Sequence, residues 1–291
     1  MNLPIPSPET RNAEIREIAF QSGEHTLRGH LFLPMEKPRI VVVLNGATGV
    51  KARFYSSFAK WLAEQKGIAC LTYDYRHFGA SALDDIRKSK ANMSDWGVHD
   101  QEAARAFLAD AFPESRVWVI GHSLGSMCLP FQRNLEQIDR FIAITGGPGH
   151  YSDHPWPYQA LARLFWFGPF PLITLLLGYL PGRTMRVGED LPSGVYWQWR
   201  KWCTRRGFYS SEFGRELPFP DWVGLKAPTK FVAVKDDVIT PPKTVWRLMQ
   251  CHPSAPKTQL LLEPKAYGLQ KIGHINVLSE KSRAVWESIV A

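Results

Sequence analysis

Gly121-His122-Ser123-Leu124-Gly125 constrains what this chain can become more than any other stretch. It fits the pattern G-x-S-x-G. It lies between residues 116–120, a short apolar run that reads as a strand, and residues 123–133, which read as a helix. A strand that turns straight into a helix leaves no room for side chains on either flank of the turn, so the flanks are glycine. The serine hydroxyl is then held up at the end of the strand. The Leu124 N–H points to where negative charge would form, and a helix N-terminus would add partial positive charge there.

A serine hydroxyl is a weak nucleophile and needs a base. The expected chain order is serine, then acid, then histidine. Four histidines follow Ser123: His150, His154, His252 and His274. His274, in Gly273-His274-Ile275-Asn276, falls in a loop between the last strand and the last helix, where such a base belongs. The acid that holds its tautomer is sought in Lys235-Asp236-Asp237-Val238-Ile239-Thr240-Pro241, directly after a predicted strand. Adjacent residues point in different directions, so only one carboxylate can face His274. Asp237 is favoured and Asp236 is the alternative acid. A second oxyanion donor is expected from the small, glycine-rich loop Asn45-Gly46-Ala47-Thr48-Gly49, with the Ala47 N–H as the choice.

The rest of the chain supplies a frame for these loops. Two strands, at 16–20 and 26–33, join through a turn at Ser22-Gly23. Strands at 39–44, 68–73, 116–120, 141–145, 229–234 and 258–262 alternate with helices at 55–65, 95–112, 123–133, 242–249 and 279–290. That alternation implies a mostly parallel sheet flanked by helices, with ligands binding beyond the strands' C-terminal ends. The rhythm stops between 146 and 222, a stretch rich in Pro, Gly, Phe and Trp. We therefore expect an α/β core from 1–145 and 223–291, carrying a helical cap insertion at 146–222. At 291 residues and 45% hydrophobic content, the chain can bury one large core.

Together, the serine turn, the late Asp-x-x-Thr-Pro and Gly-His, and Asp74-Tyr75-Arg76-His77-Phe78-Gly79-Ala80-Ser81 resemble the α/β-hydrolase superfamily. The last stretch is similar to that family's structural D-x-R-G-x-G-x-S loop, with His77 in place of a glycine. Asn45-Gly46 stands where the family usually has His-Gly. Asp95-Trp96-Gly97 and Asp100 look like the branch of predicted hydrolases near serine-aminopeptidase-like and monoacylglycerol-lipase-like proteins. The resemblance covers 16–145 and 225–291 and omits the insertion. It implies a serine hydrolase with a Ser123-Asp237-His274 triad, Leu124 and Ala47 as oxyanion donors, and no metal or organic cofactor.

The expected reaction is cleavage of a lipophilic carboxylic ester through an acyl-enzyme. The same triad could serve a peptidase or amidase, with Glu189, Asp190 and Glu212 available to bind a substrate amine, or an acyltransferase. A non-catalytic ligand-binding member of the fold is the reading from another class. The net charge of +8 is not gathered into a tract, so no nucleic-acid partner is expected. Its densest group, Arg200, Lys201, Arg205 and Arg206, reads as a solvated helix face. The apolar segment 161–180 is interrupted by Gly168, Pro169, Pro171 and Gly178. It reads as a buried or interfacial piece able to rest on a lipid surface, rather than as a membrane span. Met1 to Thr10 is polar and lacks the apolar core of a secretory signal. Cys70, Cys128, Cys203 and Cys251 show no pairing pattern, so free thiols in a cytoplasmic, reducing setting are expected.

Overall fold

The computed structural model describes residues 12–291, so the reading of Met1 to Thr10 lies outside the described residues. The chain opens with an antiparallel pair, β1 (Glu14–Ser22) and β2 (His25–Leu33), followed by β3 (Ile40–Asn45), α1 (Ser56–Lys66) and β4 (Ala69–Asp74). A π-helical turn at Asp95–Asp100 runs into α2 (Gln101–Ala111), and then come β5 (Arg116–His122) and β6 (Arg140–Ile144). Next are α3 (Tyr158–Phe167), α4 (Pro169–Leu177), a two-residue ribbon of β7 (Tyr179–Leu180) with β8 (Leu191–Pro192), and α5 (Ser193–Thr204). The chain closes with β9 (Thr229–Val234), α6 (Pro242–Gln250), β10 (Lys257–Leu262), α7 (Gly273–Asn276) and α8 (Trp286–Val290).

Eight strands form one sheet in the order β1-β2-β4-β3-β5-β6-β9-β10. β2 pairs antiparallel with both neighbours, and every other pairing from β4 to β10 is parallel. Side chains alternate along each strand, so one strand feeds two cores. Val41, Val43, Val117, Val119 and Phe141 pack with Ala104 and Leu108 of α2 and Val245 and Leu248 of α6. Val42, Leu44, Trp118, Ile120 and Ile142 pack on the opposite face with Phe58 and Leu62 of α1 and Trp286 of α8. Burial on both faces explains why these strands read as unbroken apolar runs. Because β3, β5, β6, β9 and β10 run the same way, their C-terminal ends share one rim.

Two expected helices differ from the sequence reading. Residues 123–133 form two 3-10 turns, Ser123–Ser126 and Leu129–Phe131. Pro130 has no N–H to bond back to Ser126, and its ring opposes an α-helix through this point. Residues 279–290 divide into a 3-10 stretch, Glu280–Val285, and α8, with a kink at Ser282. His77 has a left-handed backbone, at φ 60°, a conformation that favours glycine. Its imidazole bonds Ser89 Oγ at 2.8 Å and His25 at 3.2 Å. The surrounding loop is held by Asp74, which accepts from the N–H groups of Ala52 and Ala80, and by Arg76, which bonds buried Asp100.

Candidate active site

Ser123 directly follows β5, at φ 55°, a strained value for a residue with a side chain. The flanking glycines make that turn possible. A Cβ on Gly121 would lie 2.3 Å from the Gly125 carbonyl oxygen, and one on Gly125 would lie 2.1 Å from the carbonyl oxygen of Asn45. Backbone thus passes too close on both sides for any other residue. With no α-helix starting here, the helix-end charge expected at this turn is reduced to that of one short turn.

Three loops from three strands converge on this turn. His274 Nε2 lies 3.0 Å from Ser123 Oγ, and His274 Nδ1 lies 2.8 Å from Asp237 Oδ2. Both His274 and Asp237 are buried. The other oxygen of Asp237 accepts from the N–H groups of Ile239 and Thr240, each at 2.8 Å, which fixes the carboxylate plane. Asp236 turns away from the imidazole. It accepts from the Ile272 and Gly273 N–H groups, at 3.1 and 3.0 Å, and so clamps the loop that carries His274. The neighbouring carboxylates therefore divide the work: one meets the ring and the other holds the backbone.

Ala47 departs from its expected part. Its N–H donates to Tyr55 Oη at 2.8 Å, so that hydrogen is already engaged. The Thr48 N–H makes no hydrogen bond to another described residue, and Thr48 lines the same cavity as Ser123. Sequence reasoning missed Tyr55 and His122. His122 is fully buried, with Nδ1 2.9 Å from Tyr55 Oη and Nε2 3.0 Å from the His274 carbonyl oxygen. A histidine inside the serine motif, on a strand with no solvent-facing side, was the available signal.

Of the other histidines, His150 caps a 3-10 turn and His252 packs between Phe141 and Phe231. His154 bonds the Val238 carbonyl at 3.1 Å and lines the cavity. Burial lowers its pKa. The cavity, of about 1030 Å³, has Ser123 and His274 in its wall. Leu124 and Met127 line it from the sheet rim, and Ala162, Phe165, Trp166, Phe170 and Trp199 from the segment between β6 and β9. The carboxylates considered for an amine subsite are all engaged. Glu189 pairs with Lys51 and Arg183, Asp190 accepts from the Arg183 N–H, and buried Glu212 receives bonds from Lys201, Trp202 and Gln198. Arg200 is likewise not purely solvated, since its Nε donates to the Trp166 carbonyl.

Comparison with solved structures agrees with this architecture. An esterase from Pyrococcus furiosus superposes with a TM-score of 0.58 at 15% identity, over 96% of this chain and 89% of that one. A thermophilic esterase from Thermogutta terrifontis gives 0.56 at 12% identity, over 94% and 97%. The thioesterase domain of the curacin biosynthetic pathway gives 0.53 at 16% identity, over 96% and 100%. At such identities the likeness concerns the fold. No curated protein matches the sequence. Residues 41–271 match the model of the alpha/beta hydrolase family, a span that takes in the serine turn, the Asp236-Asp237 loop and most of the sheet, and the chain belongs to that family.

Proposed function

We propose that this protein is a serine hydrolase that cleaves a lipophilic carboxylic ester through an acyl-enzyme. The observation that carries the reading is the hydrogen-bonded line Asp237–His274–Ser123, which opens into a large, mostly apolar cavity. In the first half-reaction His274 Nε2 takes the Ser123 hydroxyl proton as Oγ attacks the ester carbonyl carbon. Asp237 holds the Nδ1–H and stabilises the imidazolium. The oxyanion accepts from the Leu124 N–H and, with Ala47 engaged by Tyr55, from the neighbouring Thr48 N–H. The tetrahedral intermediate collapses, and the alcohol leaves with the proton from His274. In the second half, water gives a proton to His274 and attacks the acyl carbon. Ser123 then departs with that proton and the carboxylic acid is released.

The cavity wall favours an acyl chain over a polar group. Glu189, Asp190 and Glu212 are engaged by cations or buried donors, which argues against a site for a substrate's free amine. Residues 146–222 act as the cap that selects the acyl group. Exposed Leu172, Leu175 and Leu176 on α4 suit contact with a lipid surface. The segment Tyr158–Leu177 is apolar and long enough to cross a membrane by composition, but Gly168 divides it into α3 and α4. All four cysteines are free, in keeping with a cytoplasmic setting.

The test is a chain-length series of p-nitrophenyl acyl esters beside a panel of aminoacyl p-nitroanilides. Turnover of esters that rises with acyl length and vanishes in His274→Ala is the expected result. Preferred turnover of the anilides would replace the ester reading with an aminopeptidase.

A further inference from the structure

We propose that Tyr55 and His122 form a positioning chain that locks the oxyanion loop and the base loop in register with the serine turn. This rests on the hydrolase reading above. Four groups stand in sequence: the Ala47 N–H, Tyr55 Oη, the His122 imidazole and the His274 carbonyl. They are separated by 2.8, 2.9 and 3.0 Å.

Chemistry fixes the direction of every bond. A carbonyl oxygen only accepts, so His122 Nε2 carries the hydrogen donated to His274. The ring is neutral, because burial pushes its pKa down to about 3. A neutral imidazole has one N–H, so Nδ1 is a bare acceptor and the Tyr55 hydroxyl donates to it. The Tyr55 oxygen in turn accepts from Ala47. No other tautomer satisfies all four groups, and any of them left unpaired would be a buried polar group without a partner, which is costly.

The chain ties together three loops that are distant in sequence. It matters to the reaction because it holds the backbone of the base itself. Asp236 grips the Gly273 N–H on one side of His274, and His122 grips the His274 carbonyl on the other. The 3.0 Å separation of His274 Nε2 from Ser123 Oγ depends on where that backbone sits. The same chain fixes the loop that supplies the Thr48 N–H. Tyr55 and His122 touch neither substrate nor reacting atoms. They act through Ala47 and His274.

Tyr55→Phe, His122→Leu and His122→Gln are compared by steady-state hydrolysis of a soluble p-nitrophenyl ester. Rates are counted per serine titrated with a fluorophosphonate, so unfolded protein does not enter. A misplacement of about 1 Å at such a site lowers rate by on the order of 100-fold. His122→Leu should therefore lose about 100-fold in kcat with KM within about twofold. Tyr55→Phe, which keeps the ring, should lose about 10-fold. Glutamine has a carbonyl to accept from Tyr55 and an N–H₂ to donate to His274, so His122→Gln should recover at least about 10-fold over leucine. Equal kcat for leucine and glutamine, or an unchanged kcat in Tyr55→Phe, would overturn the chain. If His122→Leu does not fold, the Tyr55→Phe value decides alone. A wild-type protein that neither labels nor hydrolyses would instead remove the underlying hydrolase reading.

Discussion

Around Ser123 the polar side chains are buried or half-buried and matched. Asp237 uses both oxygens, Asp236 uses both oxygens, and His122 and His274 each use both ring nitrogens. The helices between β6 and β9 are built differently. Phe165 packs on Trp166, Phe170 and Tyr196 with ring centroids 4.5, 4.8 and 5.6 Å apart, while Leu172, Leu175 and Leu176 stand 59%, 68% and 74% exposed. One region is defined by directional bonds that tolerate no displacement. The other is defined by apolar contact, which is non-directional and leaves surface unsatisfied. Under the proposed function, chemistry belongs to the first and choice of substrate to the second.

The sharpest way to break this contrast lies within the first region. Asp237→Asn keeps the shape but offers His274 the wrong tautomer, and kcat for an ester should fall by about 10⁴. Asp236→Asn removes one acceptor from a backbone clamp and should cost about 10-fold. Similar losses in the two variants, measured side by side, would contradict the division of labour between the carboxylates.

A smaller effect is expected on the apolar side. Leu172→Gln combined with Leu175→Gln and Leu176→Gln should weaken partitioning onto phospholipid vesicles by at least about 10-fold, since each leucine buried at an interface contributes on the order of 1 kcal/mol or more. Hydrolysis of a soluble short-chain ester should stay within about twofold of wild type. Unchanged vesicle binding in a sedimentation assay would deprive the exposed helix face of its proposed role.

A last effect concerns stability rather than rate or partitioning, and lies in the buried histidines. His122 has both nitrogens bonded, whereas His252 leaves Nε2 without a partner. Burial, helped at His252 by the charge of Lys257, holds the two pKa values at about 3 and about 4. An unfolded imidazole titrates near ~6.5. Their contribution is thus complete above about pH 6.5 and is lost as pH falls through that window toward the folded values, at up to roughly 1.4 kcal/mol per pH unit for each ring. His252→Leu should flatten the fall in Tm between about pH 7 and 4.5. A Tm that falls as steeply as in wild type would show that other groups set the acid limit.

How much of this was legible in the sequence follows the same line. The serine turn could be read because its flanking glycines are forced, since a Cβ on Gly121 or Gly125 would lie 2.3 or 2.1 Å from a backbone oxygen. The parallel strands could be read because burial on both faces leaves apolar runs. His274 and the Asp236-Asp237 pair were recognisable from their position after strands, although only the folded loops show which carboxylate meets the ring. Tyr55 and His122 were not read as a unit, since a contact across 67 residues leaves no local pattern. The helix expected over 123–133 failed at Pro130, where a local rule outweighed the motif's usual sequel. The aromatic segment gave its composition but not its three-helix form, because ring packing carries no fixed spacing.

The proposed reaction depends most on the hydroxyl of Ser123 being the activated nucleophile. Incubation with a fluorophosphonate, followed by mass spectrometry of the digested protein, reads this directly. One phosphonyl group on the peptide containing Ser123, with release of fluoride and with no addition in Ser123→Ala, is the predicted result. An unlabelled protein that still hydrolyses esters, or a label on another residue that persists in Ser123→Ala, would contradict it.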